Sequence, residues 1–245
     1  MKSVANTLKI VELIAELQPV SLIELEKHID IPKTTIQRAL TTLQKNHWIR
    51  PQSPIGKPKW MLSAHILRLS NQNPNLEKLI ETCRPYLQRL RDLSGETVFL
   101  SSFEVDGMIV IDYLDSQNII KASLATGTHA PLVSTSTGKA TLAALTIEER
   151  KKLLANYYPD FLDSKGNPKS SLENELKIIS KQKYAVSEGE WIPEIGNLGI
   201  ALINSVGAPI GGIGITVPMT RWKSLKIGVL ARALVKTKNE IEASL

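Results

Sequence analysis

The chain has 245 residues, enough for one large domain or two modest ones. Its 42% hydrophobic and 22% charged residues describe a globular protein, neither disordered nor membranous, and no apolar run approaches membrane-spanning length. A net charge of +6 permits a polyanionic partner, while the single cysteine, Cys83, excludes an intrachain disulfide and fits a reducing cytosol.

The N-terminus, MKSVANTLKIVELIAELQPV, carries Glu12 and Glu16 inside an apolar pattern, which predicts an amphipathic helix and not a signal peptide. Val4, Leu8, Val11 and Ala15, with Ile14 beside them, form its stripe, and Gln18-Pro19 ends it. Ser21 is a good N-cap, and Glu24 three residues later completes a capping box for a short helix through Leu22, Leu25 and Ile29. The segment 31–46, IPKTTIQRALTTLQKN, then places Pro32 in a first helical turn and Ile36, Leu40 and Leu43 on one apolar stripe. At 100° per residue Thr34, Arg38, Thr41 and Lys45 fall opposite that stripe, flanked by Gln37. That outer face is cationic and rich in hydroxyl and amide groups, the chemistry that reads phosphates and base edges in a major groove.

Helix, short helix, tight turn and basic helix are the order of a helix-turn-helix. Residues 47–50 and 59–62 read as strands around a basic, turn-rich loop, PQSPIGKP, and so as a wing lying on DNA. Through His65 nine basic side chains face five acidic ones, and every charged residue from Pro32 to Lys59 is basic.

The cluster NQNPN at 71–75 breaks the pattern, and a helix follows over 76–93 through Leu79, Ile80, Cys83, Leu87, Leu90 and Leu93, with Pro85 bending it. Strands are predicted at 97–103, 107–114, 119–124, 184–187, 198–205 and 210–217, with Asp106-Gly107 as a hairpin signal. Helices are predicted at 137–145, 147–157, 172–182 and from about Trp222 to Ala243. This interleaving indicates an α+β domain around one mixed or antiparallel sheet.

Catalytic and cofactor motifs are missing. His28, His47, His65 and His129 are dispersed and form no metal-ligand set, and there is no nucleophile elbow. Gly138-Lys139-Ala140 has the tail of a phosphate-binding loop, but Val133 stands where its leading glycine belongs and Ala140 replaces Ser or Thr. The glycines of 211–214 lack dinucleotide spacing and suit close approach of a backbone or ligand. No cofactor or metal is expected. Two stretches read as pocket walls or as capping and turn chemistry: GTHAPLVSTSTGK, whose helix start offers free N–H groups to an anion, and SEGEWIPEIGNLGIAL.

PKTTIQRAL, GETVFLSS, GTHAPLVSTSTGKATLAAL and YAVSEGEWIPEIG…GIAL…PIGGIGITVP occur in the order and spacing of the IclR-type transcriptional regulators, and the chain resembles that family over nearly its whole length. The resemblance implies an α+β chain of two domains: a winged helix-turn-helix DNA-binding domain at 1–65, a linker helix at 66–94, and a GAF-like effector-binding domain at 95–245. It implies double-stranded operator DNA and a small-molecule effector, often a carboxylate or an aromatic acid, as partners, with assembly as a homodimer or homotetramer in the cytoplasm. By position, the DNA-reading residues would be Lys33, Thr34, Thr35, Gln37, Arg38 and Thr41, with Ser53 and Lys57 on the wing. The effector pocket would correspond to Ala130, Ser136, Thr137, Ser187, Asn197, Gly214 and Thr216. Members binding small acids usually carry an acid, a cysteine and two serines where this chain has Ser187, Asn197, Gly214 and Thr216, so charge and donor count differ. The rival readings are an enzyme or a protein-interaction module built on the C-terminal domain.

Overall fold

The computed structural model describes residues 2–53 and 55–245, and the chain divides into two compact units at residues 74/75. In the first, α1 (Lys2–Leu17), α2 (Leu22–His28) and α3 (Lys33–Lys45) surround a small sheet of β1 (Val20–Ser21), β2 (Ile49–Pro51) and β3 (Lys59–Leu62). The core is Ile10 and Ile14 of α1, Leu25 of α2, and Ile36, Ala39, Leu40 and Leu43 of α3, with Val20, Ile49 and Trp60 from the strands. The predicted stripe of α3 is therefore its buried side.

The predicted stripe of α1 is not. Val4, Leu8 and Ala15 are exposed, while Ile10 and Ile14 are fully buried. The helix carries two apolar rows, and α2, α3 and β3 cover the row through Ile10, Ile14 and Leu17. The capping box forms as expected: Glu24 N donates to Ser21 Oγ (3.3 Å) and Ser21 N to Glu24 Oε2 (2.7 Å), which holds the Glu24 carboxyl below its usual range. Pro32 stands one position earlier than predicted, as the N-cap.

His47 does not begin a strand. It adopts φ 63° and closes α3, with its N–H on Gln44 O (3.0 Å) and that of Trp48 on Leu43 O (2.9 Å), so pairing starts at Ile49. The wing sheet gains an unpredicted edge, because β1 pairs with β3 at Val20↔Trp60; two residues are too short to show a period. A short helix, α4 (His65–Ser70), follows without a buried residue. Pro54, in the wing loop, lies outside the described residues.

The second unit is built on a six-stranded antiparallel sheet of order β6-β5-β4-β9-β8-β7. Its strands are β4 (Thr97–Glu104), β5 (Gly107–Leu114), β6 (His129–Ala130), β7 (Ala185–Glu188), β8 (Ile195–Ile203) and β9 (Pro209–Pro218). The side chains alternate between two cores. Val98, Leu100, Leu198, Ile200, Ile213 and Ile215 meet α5 (Pro74–Ser94) and α10 (Ile227–Glu242) on one face. Met108, Ala185 and Ala201 meet α6 (Ser136–Ala144), α7 (Ile147–Tyr157) and α8 (Ser170–Gln182) on the other. Pro85 sits within α5, and Cys83 lies at 0% exposure in the first of these cores, where burial pushes its thiol up to about 12.

Three expectations need correction. Residues 119–124 are not a strand: Ile119 and Ile120 stand exposed, and the segment is tethered by Thr97 Oγ1 to Ala122 O (2.8 Å) and by Arg221 to Ile120 O (2.8 Å). The edge next to β5 is taken by β6 instead. The last helix is divided into α9 (Met219–Trp222) and α10, with the buried Trp222 ending the first piece. The hairpin after β4 turns at Val105-Asp106, and Gly107 already pairs with Glu104. A Cβ at Gly107 would lie 2.4 Å from His129 Nε2, so this glycine serves close packing against β6.

Candidate functional site

On α3 the structure gathers Lys33, Thr34, Gln37, Arg38, Thr41 and Lys45 as exposed residues opposite Ile36, Leu40 and Leu43, with Thr35 half-buried at the margin. Thr41 turns its hydroxyl back to Gln37 O (2.9 Å). The amide of Gln37 and the guanidinium of Arg38 are the groups there with bidentate hydrogen-bonding capacity. The face is not wholly free of acid, since Glu26 of α2 stands 3.5 Å from Lys33. On the wing loop Ser53 and Lys57 are exposed, and the Ser53 hydroxyl accepts from Ile55 N (3.2 Å).

The second candidate lies under the N-terminus of α6. Gly199 and Gly212 let this helix press onto the sheet: a Cβ at Gly199 would lie 2.6 Å from Ser136 Oγ and Thr137 N, and one at Gly212 3.1 Å from Thr137 Cβ. Of the predicted effector residues, Ala130, Ser136, Thr137, Asn197 and Thr216 line one cavity here. Ser187 and Gly214 do not. Ser187 is fully buried and donates to Ser134 O (2.9 Å), fastening β7 to the turn before α6. Gly214 lies beneath the ring of Phe99, whose Cζ would be 2.3 Å from a Cβ there.

Of the rest of the wall, Trp191 and Ile192 belong to the stretch SEGEWIPEIGNLGIAL that reads as a pocket wall, and the remainder was not legible in the sequence. Phe99, Met108, Val110 and Leu124 come from β4, β5 and the segment before β6, while Trp191 and Ile192 come from the segment between β7 and β8. They make the cavity largely apolar and close it to about 20 Å³, room for a water or two. Its polar end is built from α6 and two strands. Thr135 caps the helix by accepting from Gly138 N (3.3 Å), and the first intrahelical bond runs from Lys139 N to Thr135 O (2.8 Å). The amides of Ser136 and Thr137 precede that bond and form the positive end of the helix dipole. Ser136 Oγ is buried without a hydrogen-bond partner, and Thr216 donates its hydroxyl to the carbonyl oxygen of Asn197. No ionisable side chain lines the cavity.

Lys139 belongs to a different arrangement. Its side chain is 1% exposed, and Nζ contacts Glu175 Oε1 at 2.6 Å and Glu190 Oε1 at 2.5 Å. Among the described residues no group of three or more His, Cys, Asp or Glu is placed to hold a metal ion.

Comparison with known proteins agrees with this architecture. Residues 3–53 match the IclR helix-turn-helix domain, and residues 75–243 match the bacterial transcriptional regulator IclR C-terminal domain. The chain is 26% identical to the transcriptional repressor IclR of Escherichia coli, over 98% of this chain and 89% of that protein. It is 23% identical to the regulator BhcR of Paracoccus denitrificans, over 98% of this chain and 86% of the relative. A crystal structure of an IclR transcriptional regulator from Alicyclobacillus acidocaldarius has the same fold, with a TM-score of 0.79 at 17% identity over 99% of this chain and 98% of the other. An IclR-family structure from Brucella abortus gives a TM-score of 0.78 at 19% identity, covering 100% and 93%. These relatives are regulators and not enzymes. An N-terminal helix-turn-helix domain joined to a C-terminal α+β effector domain places this chain in the IclR family of bacterial transcriptional regulators.

Proposed function

We propose that the protein acts in the cytoplasm as a homodimer or homotetramer that releases or engages an operator in response to a small organic acid. Residues 1–65 serve as the DNA-binding domain, 66–94 as the link and 95–245 as the effector domain. Lys33, Thr34, Thr35 and Thr41, with Ser53 and Lys57 of the wing, position the duplex through phosphates, and Gln37 and Arg38 discriminate bases.

The observation that carries the effector assignment is Ser136 Oγ, a buried hydroxyl without a partner at the N-terminus of α6 in an otherwise apolar cavity. A carboxylate seated there would accept from that hydroxyl and from the amides of Ser136 and Thr137, with the helix dipole favouring its charge. Asn197 and Thr216 offer an amide and a hydroxyl to the rest of the ligand, and Ala130 supplies apolar contact. Ser187 and Gly214 shape the cavity from behind. They hold the α6 turn and seat Phe99. The effector changes operator affinity by its differential affinity for two arrangements of the protein.

The test is binding of the full chain to its own upstream DNA and to random DNA at several salt concentrations, followed by a screen of small acids on the specific complex. Specific binding with a steep salt slope, shifted by one acid class, supports the reading. Equal binding to both DNAs, unmoved by any acid, refutes it.

A further inference from the structure

With room for a water or two, about 20 Å³, the cavity is too small for an effector of even a few heavy atoms, so one of its walls has to move. The walls from β4, β5, β8 and β9 are laced into the sheet, and α6 is pressed onto Gly199 and Gly212. The segment carrying Leu124 is anchored upstream by Thr97 to Ala122 O and by Arg221 to Ile120 O, and downstream where Gly127 N donates to Val110 O (2.8 Å). There remains the segment 189–194, which lays Trp191 and Ile192 over the opening. Its backbone is tied by Gly189 N to Ile195 O (3.0 Å) and Met219 N to Glu194 O (2.8 Å) at its ends, and its own turn is closed by Ile195 N to Ile192 O (3.0 Å). Between those ends Glu190 reaches across to Lys139 on α6, two residues beyond Thr137 in the cavity wall.

We propose that segment 189–194 is the lid of the effector cavity and that the Lys139–Glu190 ion pair is its latch; this deepens the effector reading above and rests on it. The second carboxylate makes the device reversible. A buried ammonium stripped of its sole partner is strongly destabilising. Lys139 keeps Glu175 of α8 at 2.6 Å when Glu190 leaves, and the Glu190 side chain, already 39% exposed, returns readily to water. The lid thus opens without stranding a charge. The lysine of the rejected phosphate-loop pattern binds carboxylates of its own chain.

Hydrogen exchange read by mass spectrometry on the full chain, without ligand, tests the latch. In Glu190→Gln, the hydrogen-bonded amides of Gly189 and Ile195, which close the segment onto Ile195 O and Ile192 O, exchange roughly tenfold faster than in the unaltered protein, while β4 and β9 keep their protection. Glu175→Gln leaves the Gly189 and Ile195 amides protected, because Glu190 still holds Lys139. Should Glu190→Gln loosen the whole unit, Glu190→Asp, which keeps the charge and retracts it by one methylene, gives the same local acceleration. Unchanged exchange of the Gly189 and Ile195 amides in these Glu190 variants, or equal acceleration there in Glu175→Gln, overturns the latch. The operator assay is scored separately. Acids that never shift operator binding refute the effector reading, whereas an exchange result confined to Glu190 variants speaks to the lid alone.

Discussion

Gly199→Ala is the sharpest test of how the proposed effector site is built. The new Cβ would meet Ser136 Oγ and Thr137 N at 2.6 Å and Ser136 C at 2.8 Å, two of the three being backbone atoms that cannot rotate away. Restoring an ordinary contact of 3.4 Å requires 3.4 − 2.6 = 0.8 Å of separation between β8 and the start of α6. Interdigitated cores resist such a shift at a cost of about 1–3 kcal/mol. In a unit of this size each kcal/mol lowers the unfolding temperature by about 2–4 °C. Calorimetry of the full chain should show the second unit's transition falling accordingly, and the lifted amides and Ser136 hydroxyl should lose the effector response while DNA binding persists. Gly228→Ala is the control: its nearest neighbour, Arg232 NH1, is 3.7 Å away, and helix propensity predicts a gain of up to about 1 kcal/mol. A Gly199→Ala protein as stable as the parent, with its effector response intact, would refute the claim that α6 is clamped to the sheet.

Other consequences follow at both sites and in the core. Arg38→Ala or Gln37→Ala should relax sequence preference by about 1–3 kcal/mol at one base pair, measured by competition between operator variants. Lys57→Ala should instead weaken all sequences alike and reduce the salt slope by about one. Asn197→Leu should abolish the acid response and spare operator binding; an unchanged response would remove Asn197 from the site. Cys83, buried and raised to about 12, should resist thiol alkylation until the unit unfolds. Its contribution is fully present below the ordinary thiol value of 9.0 and is lost as pH rises from there toward about 12. Between those values stability should therefore fall by about 1.4 kcal/mol per pH unit more steeply in the parent than in Cys83→Ala, measured by denaturation at several alkaline pH values.

Much of the fold is legible from neighbours along the chain. The Ser21/Glu24 capping box, the Ile36–Leu40–Leu43 stripe, the exposed basic face of α3 and the alternating strands of the second unit all depend on interactions within a few residues or on a simple period. Family resemblance located five residues that share one cavity, although two others, Ser187 and Gly214, support it from outside.

What the sequence by itself determined is therefore local: where the capping box starts α2, which side of α3 is apolar, and that its outer side is cationic. Tertiary structure decided which of two apolar rows of α1 is covered, since α2, α3 and β3 arrive from elsewhere in the chain. It also decided that 119–124 is tethered by side chains instead of paired, and that Phe99 leans over Gly214 to shrink the cavity. Lys139 shows the reason most directly. Its partners lie 36 and 51 residues away, and only packing of α6 against α8 and the lid brings two carboxylates to one buried ammonium.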